Sequence, residues 1–306
     1  MSSGAWIPLV MRRMAAVNPR LAAWVGARMF WHLGSPAAVR DADREVHASA
    51  SVEHLLTRNA RVKVYTWGQG STVVLLVHGW RSRASRLGRL ITGLLEAGHT
   101  IVSFDAPGHG ESGKGASNVL EWADVIRELE AQHGPFHAVV GHSFGVLAAF
   151  HAVRIGVVPE RMVTIAGPHS LEHIVASFTR QLDLTRRATQ HFRQRVDRQV
   201  FESSPFEWRQ IVSRIDSAGV TLPLLVVHDS SDAVMDSGQA ELIADTHGAS
   251  ASALLTEGLG HNRILDDPRV LEAITGFLTT GAGARIPGPT LAASEAPDLL
   301  KAESPK

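Results

Sequence analysis

The chain contains no cysteine. Disulfides, thiolate zinc sites and a cysteine nucleophile are thereby excluded. The absence fits a reducing compartment, so a cytoplasmic location is expected. Net charge is also absent: 30 Lys and Arg balance 30 Asp and Glu. The basic excess with which nucleic-acid binders track phosphates is missing, and nucleic acid is not expected as a partner. No run of about 18 residues is both mostly apolar and uncharged, which argues against a membrane-spanning helix. The opening Met1-Ser2-Ser3-Gly4 lacks the basic start of a secretory signal. Lysine is confined to Lys63, Lys114, Lys301 and Lys306, so arginine supplies nearly all the positive charge, a compositional trait to which no function is attached.

What is present is ample. The 306 residues suffice for one large domain with a well-buried core. Character changes along the chain divide it into a helical arm (1–50), a body (51–168 and 221–280), a helical insertion within the body (169–220) and a tail (281–306). The tail is rich in Gly, Ala, Pro and Ser and is expected to be disordered.

In the arm, Asn18-Pro19 reads as an N-cap followed by proline at the first helical position. Met14, Val17, Leu21, Val25 and Met29 recur at helical spacing, and Trp6, Trp24, Phe30 and Trp31 add apolar area. The arm carries Arg12, Arg13, Arg20, Arg28 and Arg40, with no acid before Asp41. Two readings follow: an amphipathic segment in weak peripheral contact with a membrane, or an arm packed on the body with its arginines in water. An apolar stripe finds its own core first, which favours packing.

In the body, strand-like runs at 61–67, 72–78, 100–105, 137–142, 162–166, 224–228 and 253–257 alternate with helical patterns at 84–96, 118–132, 144–155, 236–247 and 269–279. The alternation predicts a mostly parallel sheet flanked by helices on both faces. A strand near 51–57 pairs antiparallel with 61–67. Between 166 and 224 lie more than fifty residues with no buried-strand pattern. They are helix-like and Arg-rich (Arg186, Arg187, Arg193, Arg195, Arg198) and are read as a cap over the carboxyl edge of the sheet, inserted between strands six and seven. Those arginines read first as a solvated helix face and second as a lure for an anionic substrate.

The sharpest local signal is Gly141-His142-Ser143-Phe144-Gly145, with an apolar strand before it and a helix after it. A strand that enters a helix through so tight a turn lifts its central side chain above the sheet edge and leaves room only for glycine on either flank. Ser143 is then an exposed, strained nucleophile. A serine hydroxyl needs a base within reach and an acid to orient that base. Asp232 falls in the loop after strand 224–228. Its rival, Asp229, lies so near the strand end that turn capping suits it better. His261 follows the last strand in Gly258-Leu259-Gly260-His261, a loop that lets its ring swing over Ser143. A negatively charged tetrahedral intermediate needs backbone N–H donors. Phe144 supplies the first. Trp80, in His78-Gly79-Trp80-Arg81 after strand 72–78, supplies the second and also walls the acyl pocket. Arg81 and Arg83 beside that loop read first as surface residues and second as recognition of an anionic substrate. The loop Asp105–Ser112 is assigned to structure; His109 within it precedes the nucleophile and is out of order for the base.

Together, His78-Gly79-Trp80, Asp105–Ser112, Gly141–Gly145, Asp232 and Gly260-His261 resemble the α/β-hydrolase superfamily over about residues 60–280. The resemblance implies an α/β-hydrolase fold with a helical lid and a Ser143–His261–Asp232 hydrolase. Ser143 stands where relatives that open epoxides or remove halogens carry Asp, which argues against both chemistries. A lipase-type His-Gly-Gly-Gly loop is absent, which tells against large lipid substrates. The expected reaction is cleavage of a small-molecule ester-like bond, with no metal or organic cofactor. Thioesters, lactones, acyl transfer and carbon–carbon bonds use the same apparatus, and a low-turnover binding protein on this scaffold is the alternative. No oligomeric state follows from these features.

Overall fold

The structure, a computed structural model, describes residues 6–58, 60–113, 117–202, 204–215 and 222–279. The tail assigned to 281–306 and the junction at 216–221 lie outside the described residues. The chain opens with three helices, α1 (Trp6–Val17), α2 (Pro19–Trp31) and α3 (Arg44–Ala48). Eight strands follow: β1 (Ser51–Leu56), β2 (Arg61–Trp67), β3 (Val73–Val77), β4 (Thr100–Asp105), β5 (Ala138–His142), β6 (Arg161–Ile165), β7 (Leu224–Asp229) and β8 (Ala251–Thr256). They form one sheet in the order β1-β2-β4-β3-β5-β6-β7-β8. The first two pairings, β1 with β2 and β2 with β4, are antiparallel; all the rest are parallel. The strand called at 253–257 begins two residues earlier, because Gly248–Ser250 forms a short helical turn that delivers the chain to the sheet edge at Ala251.

Period-two alternation decides the layers. In β3, Val74 and Leu76 face a core shared with α4 (Gly88–Glu96) and α11 (Pro268–Thr279), where Leu90, Ile91, Val270 and Ile274 meet them. Leu75 and Val77 face the other core, shared with α5 (Val119–His133), α6 (Phe144–Arg154) and α9 (Gly238–His247). A strand buried on both faces has no room for a polar position, which is why these runs are continuously apolar. The sheet edges differ: β1 is exposed at five of its six residues and β8 is half-buried throughout.

The arm departs from the predicted stripe. It is two helices broken at Asn18, whose side chain accepts from the Leu21 amide as the expected N-cap. The buried face is made of small residues. Ala22, Ala23, Gly26 and Ala27 pack on the helices inserted between β6 and β7, α7 (Leu171–Gln181) and α8 (Arg186–Phe201). A methyl on Gly26 would stand 3.4 Å from the Phe192 ring, so the helix backbones approach closely. Val17 and Leu21, read as core, are 89% and 45% exposed. Close packing favours small side chains at a helix seam; Met14, Val25 and Met29 of the stripe pack at its margin, while Val17 and Leu21 fall outside it. No helix among the described residues is long and apolar enough to cross a membrane.

Arg83 also departs from expectation. It is buried, not superficial. Its guanidinium lies 2.6 Å from Glu111 and 3.5 Å from Asp105. Asp105 in turn accepts from the amides of Ala84 and Glu111 and from the Tyr65 hydroxyl. The Asp105–Ser112 loop is thus pinned from three directions, as its assignment to structure requires.

Two buried histidines are expected to make the fold acid-labile. His142 at the end of β5 and His151 in α6 are each 3% exposed. Burial, then the charge of His261, pushes His142 down to about 3. Burial, then Arg154, pushes His151 down to about 4. Unfolding returns both toward the ordinary imidazole value of about 6.5. Below that value the unfolded chain binds more protons, so stability falls as pH drops from about 6.5 toward 4 and 3. At pH 5 each histidine is expected to remove about 2 kcal/mol. Urea midpoints across this range test the expectation; a midpoint that is flat between neutrality and pH 5 would refute it.

Candidate active site

The carboxyl edge of the parallel strands gathers the loops after β3, β5, β7 and β8, the usual place for a site in a sheet of this kind. At the tip of β5 the chain turns within one residue. Ser143 has φ 53° and ψ −124°, a conformation that costs a non-glycine residue roughly 1–3 kcal/mol. Its amide donates to the Ile165 carbonyl at 2.9 Å, which ties the turn to β6. Both flanking glycines are required by contact. A Cβ on Gly141 would lie 2.9 Å from the Val146 Cα, and one on Gly145 would lie 2.5 Å from the His78 carbonyl oxygen.

The structure brings Ser143, His261 and Asp232 together, with His261 between the other two. The Ser143 hydroxyl stands 2.9 Å from His261 Nε2, and His261 Nδ1 stands 2.7 Å from Asp232 Oδ2. Asp232 is a carboxylate and accepts only, so Nδ1 carries the proton and Nε2 is free to accept from the hydroxyl. Asp232 Oδ1 accepts from the amides of Val234 and Met235 at 2.8 and 2.9 Å. Burial would raise the Asp232 pKa, but the hydrogen bonds from His261 and these two amides outweigh it and hold the carboxyl below its usual value. His261 does not lie on an open loop: it sits in α10 (Gly260–Arg263), a single turn from which its ring reaches Ser143.

Asp229, read as a turn cap, does more. It is fully buried at the end of β7. It accepts from the Ser231 amide of its own turn, and also from the amides of Leu259 and Gly260 and the Thr256 hydroxyl on the His261 segment. Burial alone would raise it; these four donors bring its pKa below the usual carboxylate value. Asp229 therefore clamps the segment that carries His261 to the loop that carries Asp232. His142 adds a second clamp, its Nε2–H donating to the His261 carbonyl at 3.1 Å.

Sequence reasoning assigned His78 no role of its own. The Ala106 amide donates to its Nε2 at 3.0 Å, so the ring proton is on Nδ1, which donates to the Gly79 carbonyl at 2.7 Å. Burial first, then His109 nearby, keeps this imidazole neutral. The described peptides are all trans. The Trp80 N–H therefore points opposite to the Gly79 carbonyl that His78 holds. Phe144, the first residue of α6, has an amide that precedes the first bond of its helix. A histidine directly before the glycine at a strand tip was the signal in the sequence for this clamp. His109 is buried against Trp80 and Trp122, with centroid distances of 5.0 and 5.1 Å, and bonds the Pro107 carbonyl; it takes no part in the Ser143 chain of hydrogen bonds.

Two cavities meet at Ser143. One of about 360 Å³ is mostly apolar, walled by Phe30 and Trp31 of α2, Ile174 and Phe178 of α7, Trp80 and Phe144. The other, about 560 Å³, is more polar and is lined by Arg81, Ser82, Arg86, His261 and Asn262. Arg81 is exposed and has φ 56°. Its guanidinium donates to the His32 carbonyl, which ties the Trp80 loop to the end of α2.

Comparison with known proteins agrees with this architecture. Solved structures of similar fold include a putative lipase from Acinetobacter baumannii (14% identity, TM-score 0.58, covering 80% of this chain and 97% of that one). An esterase from Pyrococcus furiosus is similar at 15% identity and TM-score 0.57, covering 80% and 97%. A membrane phospholipase A described as a bacterial virulence factor is similar at 20% identity and TM-score 0.57, covering 86% and 94%. At such identities the likeness is one of fold. A search of curated proteins finds no match. The sequence profile of the alpha/beta hydrolase family matches residues 74–274, a span that holds the glycine-flanked Ser143, Asp232 and His261. With that match over most of the chain and a sheet of this order, the protein belongs to the alpha/beta hydrolase family.

Proposed function

We propose that the protein is a serine hydrolase that cleaves ester-like bonds through an acyl-enzyme on Ser143. The observation that carries this reading is the unbroken relay from the Ser143 hydroxyl to His261 and on to Asp232, at 2.9 and 2.7 Å. His261 Nε2 takes the hydroxyl proton as Ser143 Oγ bonds to the carbonyl carbon. The amides of Phe144 and Trp80 receive the developing oxyanion, with the Trp80 peptide oriented by His78. The protonated His261 then gives its proton to the leaving oxygen as the carbon–oxygen bond breaks. Water, deprotonated by the same imidazole, releases the acid and restores Ser143. Asp232 holds the Nδ1–H tautomer throughout.

The lining of the two cavities supports an assignment of sides. The more apolar cavity suits an acyl group, and the less apolar one, with Arg86, Ser82 and Asn262 in its lining, suits a leaving alcohol. The inserted helix α7 and the arm helix α2 both wall the acyl cavity, which supports reading the insertion as a cap with the arm as its partner.

A series of p-nitrophenyl esters tests this. Each methylene buried in the apolar cavity contributes about 0.8 kcal/mol, so kcat/KM is expected to rise up to about fourfold per methylene until the cavity is full. Uncharged acyl groups are expected to be preferred over a hemisuccinate. A fluorophosphonate probe is expected to label wild type and spare Ser143→Ala. Folded protein that neither reacts with the probe nor turns over any ester overturns the proposal and favours a ligand-binding role on the same scaffold.

A further inference from the structure

We infer that the outer face of the helical arm, together with the seam between α2 and α8, is a docking surface for anionic lipid bilayers. Beyond the residues that the arm packs inward, a set of large apolar side chains stays outside. Trp6, Leu9, Val10, Val17, Leu21 and Trp24 are between 42% and 89% exposed. Their placement is ordered. At 100° per residue, Trp6, Leu9, Val10, Arg13 and Val17 share one face of α1, opposite the buried Met11 and Ala15. Leu21, Trp24 and Arg28 lie on the face of α2 opposite the buried Ala22, Ala23 and Gly26. The two apolar faces adjoin at Asn18, where Val17 and Leu21 flank the break.

Charge selects the occupant. Residues 6–40 contain no Asp or Glu. Two shallow cavities run along the seam of α2 with α8. One, about 260 Å³, is lined by Arg20, His191, Gln194, Arg195 and Arg198. The other, about 380 Å³, brings Trp24 and Arg28 beside Arg195 and Gln199. Neither lining includes a carboxylate. The one acid of α8, Asp197, falls two residues after Arg195 and therefore on the far side of the helix. Arg28 lies over the Trp24 ring at 5.4 Å. Arg12 leans away, 3.5 Å from Asp183. Apolar side chains interleaved with arginines are what a helix needs to lie in a headgroup layer, its rings among the acyl chains and its guanidiniums on phosphates. A second copy offering the same face would set arginine against arginine, and a nucleic acid would leave the tryptophan, leucine and valine side chains in water.

The C-terminal end of α2, at Phe30 and Trp31, walls the cavity that reaches Ser143, and Trp31 also borders the seam cavity beside Trp24 and Arg28. A docked molecule thus holds its cavity beside the lipid. That last link rests on the hydrolase reading; the docking does not.

Co-sedimentation with vesicles tests the docking by itself. The full chain is expected to pellet with equimolar phosphatidylcholine and phosphatidylglycerol, to be released by salt, and to stay in solution with phosphatidylcholine alone. The triple variant Arg20→Gln, Arg195→Gln, Arg198→Gln removes about 1 kcal/mol of attraction per arginine and is expected to weaken partitioning about a hundredfold. The triple variant Leu9→Ser, Val17→Ser, Trp24→Ser is expected to weaken it at constant charge. Far-ultraviolet circular dichroism and thermal melts confirm that both sets stay folded, since every changed side chain is on the surface. Three outcomes would each overturn the inference: no pelleting with anionic vesicles, pelleting unchanged in both variants, or light scattering that shows the face buried in a dimer. Pelleting abolished by an oligonucleotide competitor but not by the apolar variant would likewise reassign the surface.

Discussion

Ser143→Ala is expected to lower kcat about a million-fold while leaving the melting temperature unchanged. In the proposed mechanism, loss of the oxygen removes the atom that bonds the substrate carbon, and the proposed oxyanion donors would retain just a small residual rate. The unchanged stability follows from backbone geometry. Alanine at φ 53° pays the same strain as serine. Ser143→Gly separates the two effects. Glycine occupies that conformation freely, so this variant is expected to be equally inactive yet about 1–3 kcal/mol more stable than Ser143→Ala, the bond to His261 being absent from both. Steady-state kinetics and differential scanning calorimetry on the three proteins decide the matter. If Ser143→Ala keeps more than a hundredth of wild-type kcat, the nucleophile is elsewhere.

Asp232→Asn is expected to lower kcat about ten-thousand-fold through the wrong histidine tautomer. Asp232 Oδ1 is held by the Val234 and Met235 amides, which demand an acceptor. In the variant the amide oxygen must take that place, which leaves the NH₂ facing His261 Nδ1. Nδ1 then has to accept, the ring proton moves to Nε2, and Nε2 loses the lone pair that draws the proton from Ser143. KM is expected to change little, because Asp232 lines neither cavity. A proton NMR spectrum is expected to lose the low-field Nδ1–H resonance of the wild type. Retention of that resonance with retained activity would show that Asp232 does not orient the base.

The legibility of this site in the sequence is uneven, and the reasons are physical. The Ser143 turn was readable because its constraint is local: five consecutive residues must fit between a strand tip and a helix start, and the flanking atoms at 2.5–2.9 Å admit only glycine. Asp232 and His261 were readable from order, each following a buried strand. Asp229 was read as local because its nearest partner, the Ser231 amide, is local; its other donors lie about thirty residues away on the His261 segment. His78 has a comparable story, since its partner Ala106 is on the neighbouring strand's loop. Arginine is seldom buried unpaired, which places Arg83 outside, and its pairing with Glu111 and Asp105 arises only when the loop after β3 meets the Asp105–Ser112 loop.

The linear order of residues was enough to determine the strand–helix alternation, the both-sided burial of β3 to β7, the tight turn at Ser143 and the helix start at Asn18. These depend on neighbours within a few positions, where side-chain period and steric exclusion act directly. Tertiary structure alone decided that the arm buries alanine and glycine and turns Val17, Leu21 and Trp24 outward. Hydrophobic period ranks residues by size, whereas the seam with α8 is decided by how near two backbones must come for Phe192 and Val196 to fill the space between them.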